Sequence, residues 1–421
     1  MSEKSKIYRR KLKDKFSRYL GRREMIGIKG ARQVGKTTLM KMIYDEIKEE
    51  KAFINLDLPD MRRTLEENPL DIIKRYKKEE KKLFLFLDEI QRVKNAGEKL
   101  KIIYDESPDV KIIFSGSSSL EIKTDILPFL VGRAFIFELH PFDFEEFLST
   151  RDKGLTKVFL DRKKSFEKTL DGNDEPQLPS FQGEFLSMLK EYLVFGGYPE
   201  VIKTRDEETK KMILGNIASL YMEKDVTNFF GIRDTSKFED LLRFLSFRTG
   251  SLLAVSSIAA TLKTSFKKIE EYLDILNHTY IIRFLRPFHS NLVTELRKTP
   301  KFYFIDTGLR NSIINNFVPL DNRTDVGVLL ENFVFRELLN LSDYKINYWR
   351  TTGKAEIDFI LSRRDRVIPI EVKLIGGKLG KGFHSFLNIY KPEVAFVVTL
   401  NEFDVKTINS CRVYKIPAYY I

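Results

Sequence analysis

Short apolar runs alternate with helical patterns along the first third of the chain. The run MIGIKG at residues 25–30 is followed by ARQVGKTTLMKMIYDEIKEE, in which apolar residues recur at helical spacing. Further strand-like runs are AFINLD (52–57), KLFLFLD (82–88), VKIIFSG (110–116) and RAFIFEL (133–139). Buried strands that alternate with helices predict an α/β fold with a parallel sheet covered on both faces.

The pattern becomes helical from about residue 142, in FDFEEFLS, GEFLSMLKEYLVF and ILGNIASLYMEKDVTNFF. The stretch 151–182 is polar and turn-rich, which indicates that part of it is a surface excursion. After residue 236, three helical segments precede two strand-like runs, YIIRFLRPF and KFYFID, in the order of a winged helix-turn-helix. The last part, from about residue 325, combines one helix, several strands and the loop IGGKLGKG.

Composition is that of a globular protein with several domains. The chain has 421 residues, more than the roughly 250–300 that one hydrophobic core usually supports. Hydrophobic residues make up 43% and charged residues 31%. No apolar run approaches 18 residues and no apolar segment follows the basic N-terminus, so we expect a cytoplasmic protein without a membrane partner. Cys411 is the only cysteine, which excludes an intramolecular disulfide.

The charge of the chain favours a polyanionic partner. The formal net charge is +12 and the sequence pI is about 9.3. Lysine and arginine side chains that neutralise phosphates release counterions from nucleic acid, so DNA is the expected partner. The alternative is the Lys/Glu-rich bias of a thermophile, which would give the same charge without DNA binding.

The segment GARQVGKT at residues 30–37 matches the Walker A pattern and lies between a predicted strand and a predicted helix. Backbone N–H groups of such a loop converge on phosphates, Lys36 contacts the β- and γ-phosphates, and Thr37 gives its hydroxyl to Mg²⁺. The cofactors expected here are therefore ATP and Mg²⁺. The residues predicted to bind nucleotide are Gly30, Ala31, Arg32, Gln33, Val34, Gly35, Lys36, Thr37, Thr38, Asp88 and Ser115.

Acids at the end of the strand LFLFLD complete this site. Asp88 would hold the magnesium ion, and Glu89 would orient or deprotonate the attacking water. In IIFSGSSS, either Ser115 or Ser117 contacts the γ-phosphate, or the serines cap the following helix. Arg133 in LVGRAF is either an arginine finger that reaches a neighbouring subunit of a homo-oligomer or the partner of a surface acid.

A second cluster of charges is predicted near the C-terminus. In AEIDFIL and PIEVK, residues two apart share one strand face, so the acids of both strands and Lys373 converge if the strands pair as a hairpin. Asp358 and Glu371 would bind one or two Mg²⁺, Lys373 would position or activate water, and Glu331 would add a ligand. The alternative is a solvated strand face that carries charges without chemistry.

Seven motifs in this order resemble a prokaryotic family of AAA-like ATPases fused to a C-terminal domain of unknown function: GARQVGKTTL, FLDEIQ, FSGSSS, VGRAF, HPFDFEEF, FGGYPEV and FIDTGL. The resemblance implies a P-loop ATPase core (1–147), a helical lid (148–233), a winged-helix domain (234–324) and a restriction-endonuclease-like α/β domain of the PD-(D/E)XK type (325–421). In the last domain, Ile357 stands where the motif has its nominal proline.

Two groups of basic residues are candidates for DNA contact. Lys378 and Lys381 lie in IGGKLGKG, which is either a phosphate-gripping loop or an ordinary mobile loop. Ser265, Lys267 and Lys268 begin the expected recognition helix, which is either a DNA reader or a protein interface. We therefore predict a DNA-associated ATPase with a nuclease-like domain. The alternatives are a nucleotide-switched scaffold whose C-terminal domain only binds a partner, and a defence or mobile-element factor with a restrained nuclease.

Overall fold

The structure is a computed structural model that describes residues 8–78, 81–116, 126–172, 175–227, 230–232, 235–288 and 298–421. The chain divides into two compact units. The first unit is Met1–Pro141 with His278–Ile281, and the second is Phe142–Asn277 with Ile282–Ile421. The bounds of the four domains drawn from the sequence stay predictions. None of the helices in the described ranges is both long enough and apolar enough to cross a membrane.

The first unit is built on a parallel sheet, as predicted. Its strands are β1 Met25–Lys29, β2 Glu50–Asn55, β3 Leu83–Asp88, β4 Val110–Gly116 and β5 Ala134–Glu138. They lie in the order β2-β3-β4-β1-β5, and every neighbouring pair is parallel. Its α-helices are Lys11–Ser17, Lys36–Glu46, Pro59–Glu67, Pro69–Tyr76, Ala96–Glu106 and Leu127–Leu130.

The central strands of this sheet form because they are apolar on both faces. Every residue of β3 and β4 is buried, as expected for strands covered by helices on each side. At Gly27 in β1, a Cβ atom would lie 2.5 Å from Ile136 Cδ1 and 2.6 Å from the Phe114 ring. Glycine is therefore required where three neighbouring strands pack this closely.

The chain after residue 142 is mainly helical before its last sheet. The α-helices are Phe144–Arg151, Lys153–Leu170, Gln182–Phe195, Pro199–Lys203, Glu207–Tyr221, Thr235–Arg248, Val255–Thr261, Phe266–His278, Thr307–Ile313, Val326–Leu338 and Lys381–Tyr390. Within 151–182, part of which was expected to be a surface excursion, Lys153–Leu170 is a helix, and Asp152 caps it by accepting from Leu155 N at 2.9 Å. Strands β6 Ile282–Leu285 and β7 Lys301–Phe304 then pair antiparallel.

The order of three helices and two antiparallel strands is the one that the sequence predicts. Helices Thr235–Arg248, Val255–Thr261 and Phe266–His278 precede the β6–β7 pair. The residues between the two strands include 289–297, which lie outside the described residues. The identification of this segment as a winged helix stays a prediction.

The last part of the chain forms a six-stranded mixed sheet. Its strands are β8 Lys345–Arg350, β9 Glu356–Arg363, β10 Arg366–Val372, β11 Val394–Thr399, β12 Asp404–Ile408 and β13 Cys411–Pro417, in the order β12-β13-β11-β10-β9-β8. Strands β9 and β10 are the predicted antiparallel hairpin, with Phe359 opposite Ile370. Helix Lys381–Tyr390 buries Phe386 and Leu387 in one core with Ile360 and Val397 of the sheet. The hairpin is therefore held by tertiary packing, as isolated hairpins are marginal.

Two motifs of the family resemblance meet in the second unit. In FGGYPEV, Gly196 has φ of +71°, and Gly197 N donates to Asp306 Oδ2 at 2.7 Å. Asp306 belongs to FIDTGL, and its Oδ1 accepts from Leu309 N at 2.8 Å to cap helix Thr307–Ile313. These two motifs thus serve a packing role in the second unit.

Candidate functional site

The loop between β1 and helix Lys36–Glu46 needs glycine at both ends. A Cβ atom on Gly30 would lie 2.1 Å from the carbonyl oxygen of Leu139. Gly35 has φ of +94° and is the N-cap of the helix. The loop therefore leads backbone N–H groups directly into a helix N-terminus, the usual arrangement of an anion-binding site in proteins.

The predicted nucleotide-site side chains converge behind this loop. Lys36 is 5% exposed, and its Nζ donates to the carbonyl oxygens of Gly30 at 2.9 Å and Ala31 at 2.8 Å. Thr37 Oγ1 donates to Asp88 Oδ2 at 2.7 Å, and Ser115 Oγ donates to Asp88 Oδ1. Three neighbouring elements thus place a hydroxyl, a carboxylate and a second hydroxyl together.

Glu89 follows Asp88 in a left-handed conformation with φ of +60°. Its backbone N donates to Ser115 Oγ at 3.3 Å, and its Oε2 accepts from Gln91 Nε2 at 2.5 Å. A left-handed conformation is strained for a residue with a side chain, and such strain is concentrated at functional sites of proteins. Ser117, the other serine considered for the γ-phosphate, lies outside the described residues.

The oxygen donors at this site fit a magnesium ion that a nucleotide shares. Thr37 and Asp88 present a hydroxyl and a carboxylate, hard oxygen ligands of the kind that Mg²⁺ takes. In P-loop sites phosphate oxygens and water supply the rest. Within the described ranges, no group of three or more His, Cys, Asp or Glu side chains is arranged to hold a metal ion without such help.

Arg10 is a residue of this site that sequence reasoning missed. Its guanidinium is 5% exposed and donates to Val34 O at 2.7 Å and His140 O at 2.6 Å. It therefore ties the loop to the end of the last strand of the sheet. No pattern marks it, because it lies in a basic N-terminal segment in which most arginines and lysines are expected to be solvated.

Arg133 pairs within its own chain in the structure. Its Nε lies 3.2 Å from Asp105 Oδ1, and 33% of its side chain is exposed. Of the two interpretations of Arg133, the pairing with a surface acid is thus present. The finger interpretation concerns a neighbouring subunit and stays a prediction.

The predicted C-terminal charges also converge. Four carboxylates, which we call the acidic cluster, face one another across helix Val326–Leu338 and strands β9 and β10: Glu331, Glu356, Asp358 and Glu371. Asp358 Oδ2 accepts from Val372 N at 2.8 Å, and Lys373 Nζ lies 2.7 Å from Glu371 Oε1. Glu371 Oε2 is buried and has no hydrogen-bond partner in the described part of the chain.

Sequence reasoning missed the cation that lies within the acidic cluster. Lys301 on β7 has a side chain only 3% exposed, and its Nζ is 2.6 Å from Glu356 Oε1, 3.4 Å from Glu331 Oε1 and 3.7 Å from Asp358 Oδ1. Tyr303, two residues on, donates to Glu331 Oε1 at 2.6 Å. The sequence pattern that could have identified them is KFYF, whose alternation places Lys301 and Tyr303 on one face of a buried strand.

Burial and the closeness of the carboxylates to one another determine the pKa values in the acidic cluster. Burial, and after it the Asp358 carboxylate, raises the pKa of Glu331 to about 7 and that of Glu371 to about 7. Burial also raises the pKa of Asp358. Burial alone would lower the pKa of Lys301, but the surrounding acids outweigh it and raise that pKa. Lys301 is therefore charged at neutral pH.

The acidic cluster in this arrangement does not fit the predicted metal ion. Its carboxylates are the right kind of ligand for Mg²⁺, but an ammonium group already contacts three of the four. The roles of Glu331, Asp358 and Glu371 as metal ligands and of Lys373 as a catalytic residue stay predictions.

The residues predicted to contact DNA are near the surface. Lys378 and Lys381 are exposed, the latter as the first residue of helix Lys381–Tyr390. Ser265 Oγ accepts from Lys268 N at 3.2 Å, so Ser265 caps the helix that begins at Phe266. Lys267 is exposed beside it.

Three family models match successive parts of the chain. Residues 22–148 match an AAA domain, residues 186–319 match a domain of unknown function, DUF8612, and residues 326–419 match another, DUF4143. The predicted order, an AAA-like part before a C-terminal domain of unknown function, is thereby confirmed.

Curated relatives are similar over most of the chain. A Haemophilus influenzae protein is 24% identical over 82% of this chain and 81% of its own length. Two proteins of Methanocaldococcus jannaschii are 28% and 25% identical, over 74% and 86% of this chain and 65% and 78% of their own lengths. All three are described as uncharacterized, so they suggest no activity.

Solved structures give only a weak likeness. The Thermotoga maritima RuvB Holliday junction branch migration motor is 16% identical, with a TM-score of 0.27, and the match covers 65% of this chain and 88% of that one. The replication initiator DnaA bound to AMPPCP and single-stranded DNA is 13% identical, with a TM-score of 0.27, over 63% and 86%. Scores this low carry no functional argument. The parallel sheet and the family match at 22–148 establish an AAA-like α/β domain with a P-loop in the first unit.

Proposed function

We propose that this protein is a Mg²⁺-dependent ATPase that acts in association with DNA. The observation that carries the ATPase proposal is the contact of Thr37 with Asp88 at 2.7 Å, directly behind a glycine-bounded loop at a helix N-terminus. A threonine hydroxyl and a strand-end aspartate are the two protein groups that hold the metal in P-loop enzymes.

Each side chain of the site has a role in this proposal. The loop N–H groups bind phosphate oxygens, and Lys36 exchanges its contacts with Gly30 and Ala31 for the β- and γ-phosphates. Thr37 and Asp88 would hold Mg²⁺, which when bound supplies positive charge beside the phosphates. Glu89 orients the attacking water or accepts its proton.

Arg133 is proposed to act on the nucleotide of a neighbouring subunit. The Arg133 side chain is partly exposed, and an exposed ion pair such as the one with Asp105 is weak, so the side chain can exchange partners at low cost. An Arg133→Ala variant is expected to lose ATP turnover in an assembly while it still binds ATP. Turnover at the wild-type rate would remove this role.

DNA association is supported by charge and by exposed basic residues. The net charge of +12 favours a polyanion, and Lys267, Lys378 and Lys381 are exposed where DNA contact is predicted. We propose that the segment from Thr235 to Phe304 contacts DNA as a winged helix.

DNA cutting is the second part of the sequence hypothesis, and we keep it as a proposal for the acidic cluster. The unpartnered Glu371 Oε2, next to Lys373, supports a role beyond packing. The position of Lys301 favours the alternative, in which the protein is a nucleotide-switched signalling or scaffold ATPase and the C-terminal domain only binds a partner.

One set of assays separates these functions. ATP turnover is measured alone and with single-stranded, duplex and branched DNA, and DNA cutting is measured with Mg²⁺ or Mn²⁺. A DNA-associated ATPase predicts turnover that DNA stimulates, whereas a scaffold predicts slow turnover that DNA leaves unchanged. Cutting that Asp358→Ala or Lys373→Ala abolishes, while turnover persists, would establish the nuclease. Cutting that survives in both variants would exclude it.

A further inference from the structure

The Lys301 ammonium lies among the carboxylates of the acidic cluster. Three carboxylates from two elements meet its Nζ, Glu356 at 2.6 Å, Glu331 at 3.4 Å and Asp358 at 3.7 Å. A divalent ion takes oxygen ligands at about 2.0–2.6 Å, so the carboxylates would have to close around it. The site is closed to solvent on the lysine side, since the Lys301 side chain is 3% exposed.

Lys301 and a divalent ion compete for the same oxygens. A buried ammonium without carboxylate partners would be strongly destabilising, so Lys301 is held in the cluster by the same groups that a metal would need. A metal at these carboxylates would also lie only a few ångströms from the ammonium, where like charges repel strongly in a dry site. Occupancy by one therefore excludes the other.

An open carboxylate oxygen indicates that the acidic cluster keeps some affinity for cations. Its four carboxylates are paired with three cations: Lys301 inside the cluster, Lys373 beside Glu371, and Arg350, whose Nη1 is 3.1 Å from Glu356 Oε2. Because burial and crowding raise the pKa of Glu331 and of Glu371 to about 7, these two acids are partly protonated at neutral pH and the charges nearly balance. Glu371 Oε2 has no partner in the described residues, which leaves one carboxylate oxygen open to a cation.

We propose that Lys301 is a built-in cation that keeps divalent metal ions out of the acidic cluster. The cluster becomes a metal site when the Lys301 side chain is removed or displaced. This inference shares its site with the proposed DNA cutting and adds the means of its regulation: any step that withdraws β7 from β9 opens the cluster to metal.

Direct binding of Mn²⁺ to the full-length chain tests the proposal. Binding is measured by electron paramagnetic resonance without nucleotide, in a Thr37→Ala background that removes the P-loop contribution. The test variant is Lys301→Met, and the matched control is Lys345→Met, which removes an exposed lysine of β8 in the adjoining sheet. We expect one Mn²⁺ site in Lys301→Met that is about a hundredfold tighter than any in the wild-type cluster or the control. Adding Asp358→Asn should abolish that site.

Two results would overturn the proposal. One is a Mn²⁺ site in the Lys301-containing chain that Asp358→Asn removes and that is as tight as the site in Lys301→Met, because the lysine would then not exclude metal. The other is a folded Lys301→Met chain that gains no site. Circular dichroism checks folding, and Lys301→Gln, which keeps a polar end to face the carboxylates, replaces Lys301→Met if the latter does not fold. If neither variant folds, the Lys301-containing chain is compared with and without Asp358→Asn, and a tight Mn²⁺ site that this substitution removes overturns the proposal.

The DNA cutting proposal fails separately from this one. A Lys301→Met chain that binds Mn²⁺ but cuts no DNA would refute cutting and leave the lysine proposal intact. A wild-type chain that cuts DNA with Mn²⁺, binds Mn²⁺ through Asp358 and loses both with Asp358→Asn would refute the lysine proposal and support cutting.

Discussion

Lys36, Lys111 and Lys301 are each at most 5% exposed, and each ammonium meets a different set of oxygens. Lys111 Nζ donates to the backbone carbonyls of Tyr19 and Arg22, and burial lowers its pKa to about 8. Carboxylates surround Lys301 and raise its pKa instead. The pKa of a buried lysine therefore depends on its partners: carbonyl oxygens leave the pKa of Lys111 lowered by burial, whereas carboxylates raise the pKa of Lys301 against burial.

Arg10 gives a prediction at the level of one side chain. Replacing Arg10 by Ala leaves the carbonyls of Val34 and His140 without a charged donor, which should lower the free energy of unfolding by about 2–3 kcal/mol. The loop should also hold nucleotide more weakly. Urea unfolding and fluorescent-nucleotide binding measure the two effects. Arg9→Ala is the matched control, because Arg9 is 76% exposed in its side chain. Equal stability of the two variants would contradict the role given to Arg10.

The candidate site residues that lie in local motifs could be located from the sequence, whereas the basic residues that contact them could not. Gly30 and Lys36 follow the fixed spacing of one loop motif, and Asp88 ends a separate all-apolar strand. Arg10 and Lys301 reach their partners across 24 residues or more, and no local period encodes such a contact. Both are basic residues in a basic chain, where composition predicts solvent exposure.

At the level of elements, the contact between FGGYPEV and FIDTGL sets the packing of helices Gln182–Phe195 and Thr307–Ile313. Gly196 comes directly before Gly197, whose backbone N donates to Asp306. A Cβ atom on Gly196 would lie 2.2 Å from Asp306 Oδ1. Positive φ adds strain for any residue with a side chain. This close approach gives a structural reason for the glycine in FGGYPEV and the aspartate in FIDTGL.

Gly196→Ala should therefore lower the free energy of unfolding by about 2 kcal/mol or more. The matched control is Gly215→Ala in helix Glu207–Tyr221, where a Cβ atom meets nothing within 4 Å. That change should raise stability by up to about 1 kcal/mol, because alanine favours helix interiors. Thermal unfolding of both variants measures the contrast. Similar melting temperatures for both would contradict the packing role.

Asp325 joins three elements at the start of helix Val326–Leu338. Its Oδ2 is 2.6 Å from Arg310 Nη1, and its Oδ1 is 2.8 Å from Arg323 Nε. Burial alone would raise the pKa of Asp325, but hydrogen bonds from Arg323 and Arg310 outweigh it and lower that pKa to about 2. Since the folded-state pKa is below the unfolded value, this carboxylate stabilises the fold above about pH 4 and loses that effect as the pH falls toward 2.

The Asp325→Asn variant should accordingly lose less stability than the wild type between about pH 4 and pH 2. It should be less stable than the wild type at pH 7, because two buried guanidinium groups lose their anion. Urea unfolding across this pH range provides the measurement. If both chains lost the same stability between about pH 4 and pH 2, the pKa of Asp325 would not be lowered in the folded protein.

Secondary structure was easiest to predict where the apolar residues follow a single pattern along the chain. The central strands β3 and β4 of the parallel sheet are apolar on both faces, and two charged pairs two residues apart, with a turn between them, predicted that β9 and β10 pair as a hairpin. Helix Lys153–Leu170 lies in a polar, turn-rich stretch whose many charged surface residues hide its pattern. Its buried residues Leu155, Phe159, Phe166 and Leu170 nevertheless recur at helical spacing.

On the scale of the whole molecule, excess positive charge gives a prediction about DNA. If lysines and arginines neutralise phosphates, counterion release makes DNA binding weaken steeply with salt. Affinity for duplex DNA should fall by at least about tenfold between roughly 50 and 200 mM salt. Fluorescence anisotropy with labelled DNA measures this fall. No binding at low salt, or binding that salt leaves unchanged, would contradict DNA association.

ATP turnover by matched lysine variants tests the central claim most directly. Lys36 is buried at the phosphate end of helix Lys36–Glu46, and Lys41 is exposed on the same helix. We predict Mg²⁺-dependent turnover in the wild type, the same turnover in Lys41→Ala, and only background turnover in folded Lys36→Ala. Turnover by Lys36→Ala at the wild-type rate would contradict the assignment of the loop at residues 30–37 as the site of ATP hydrolysis.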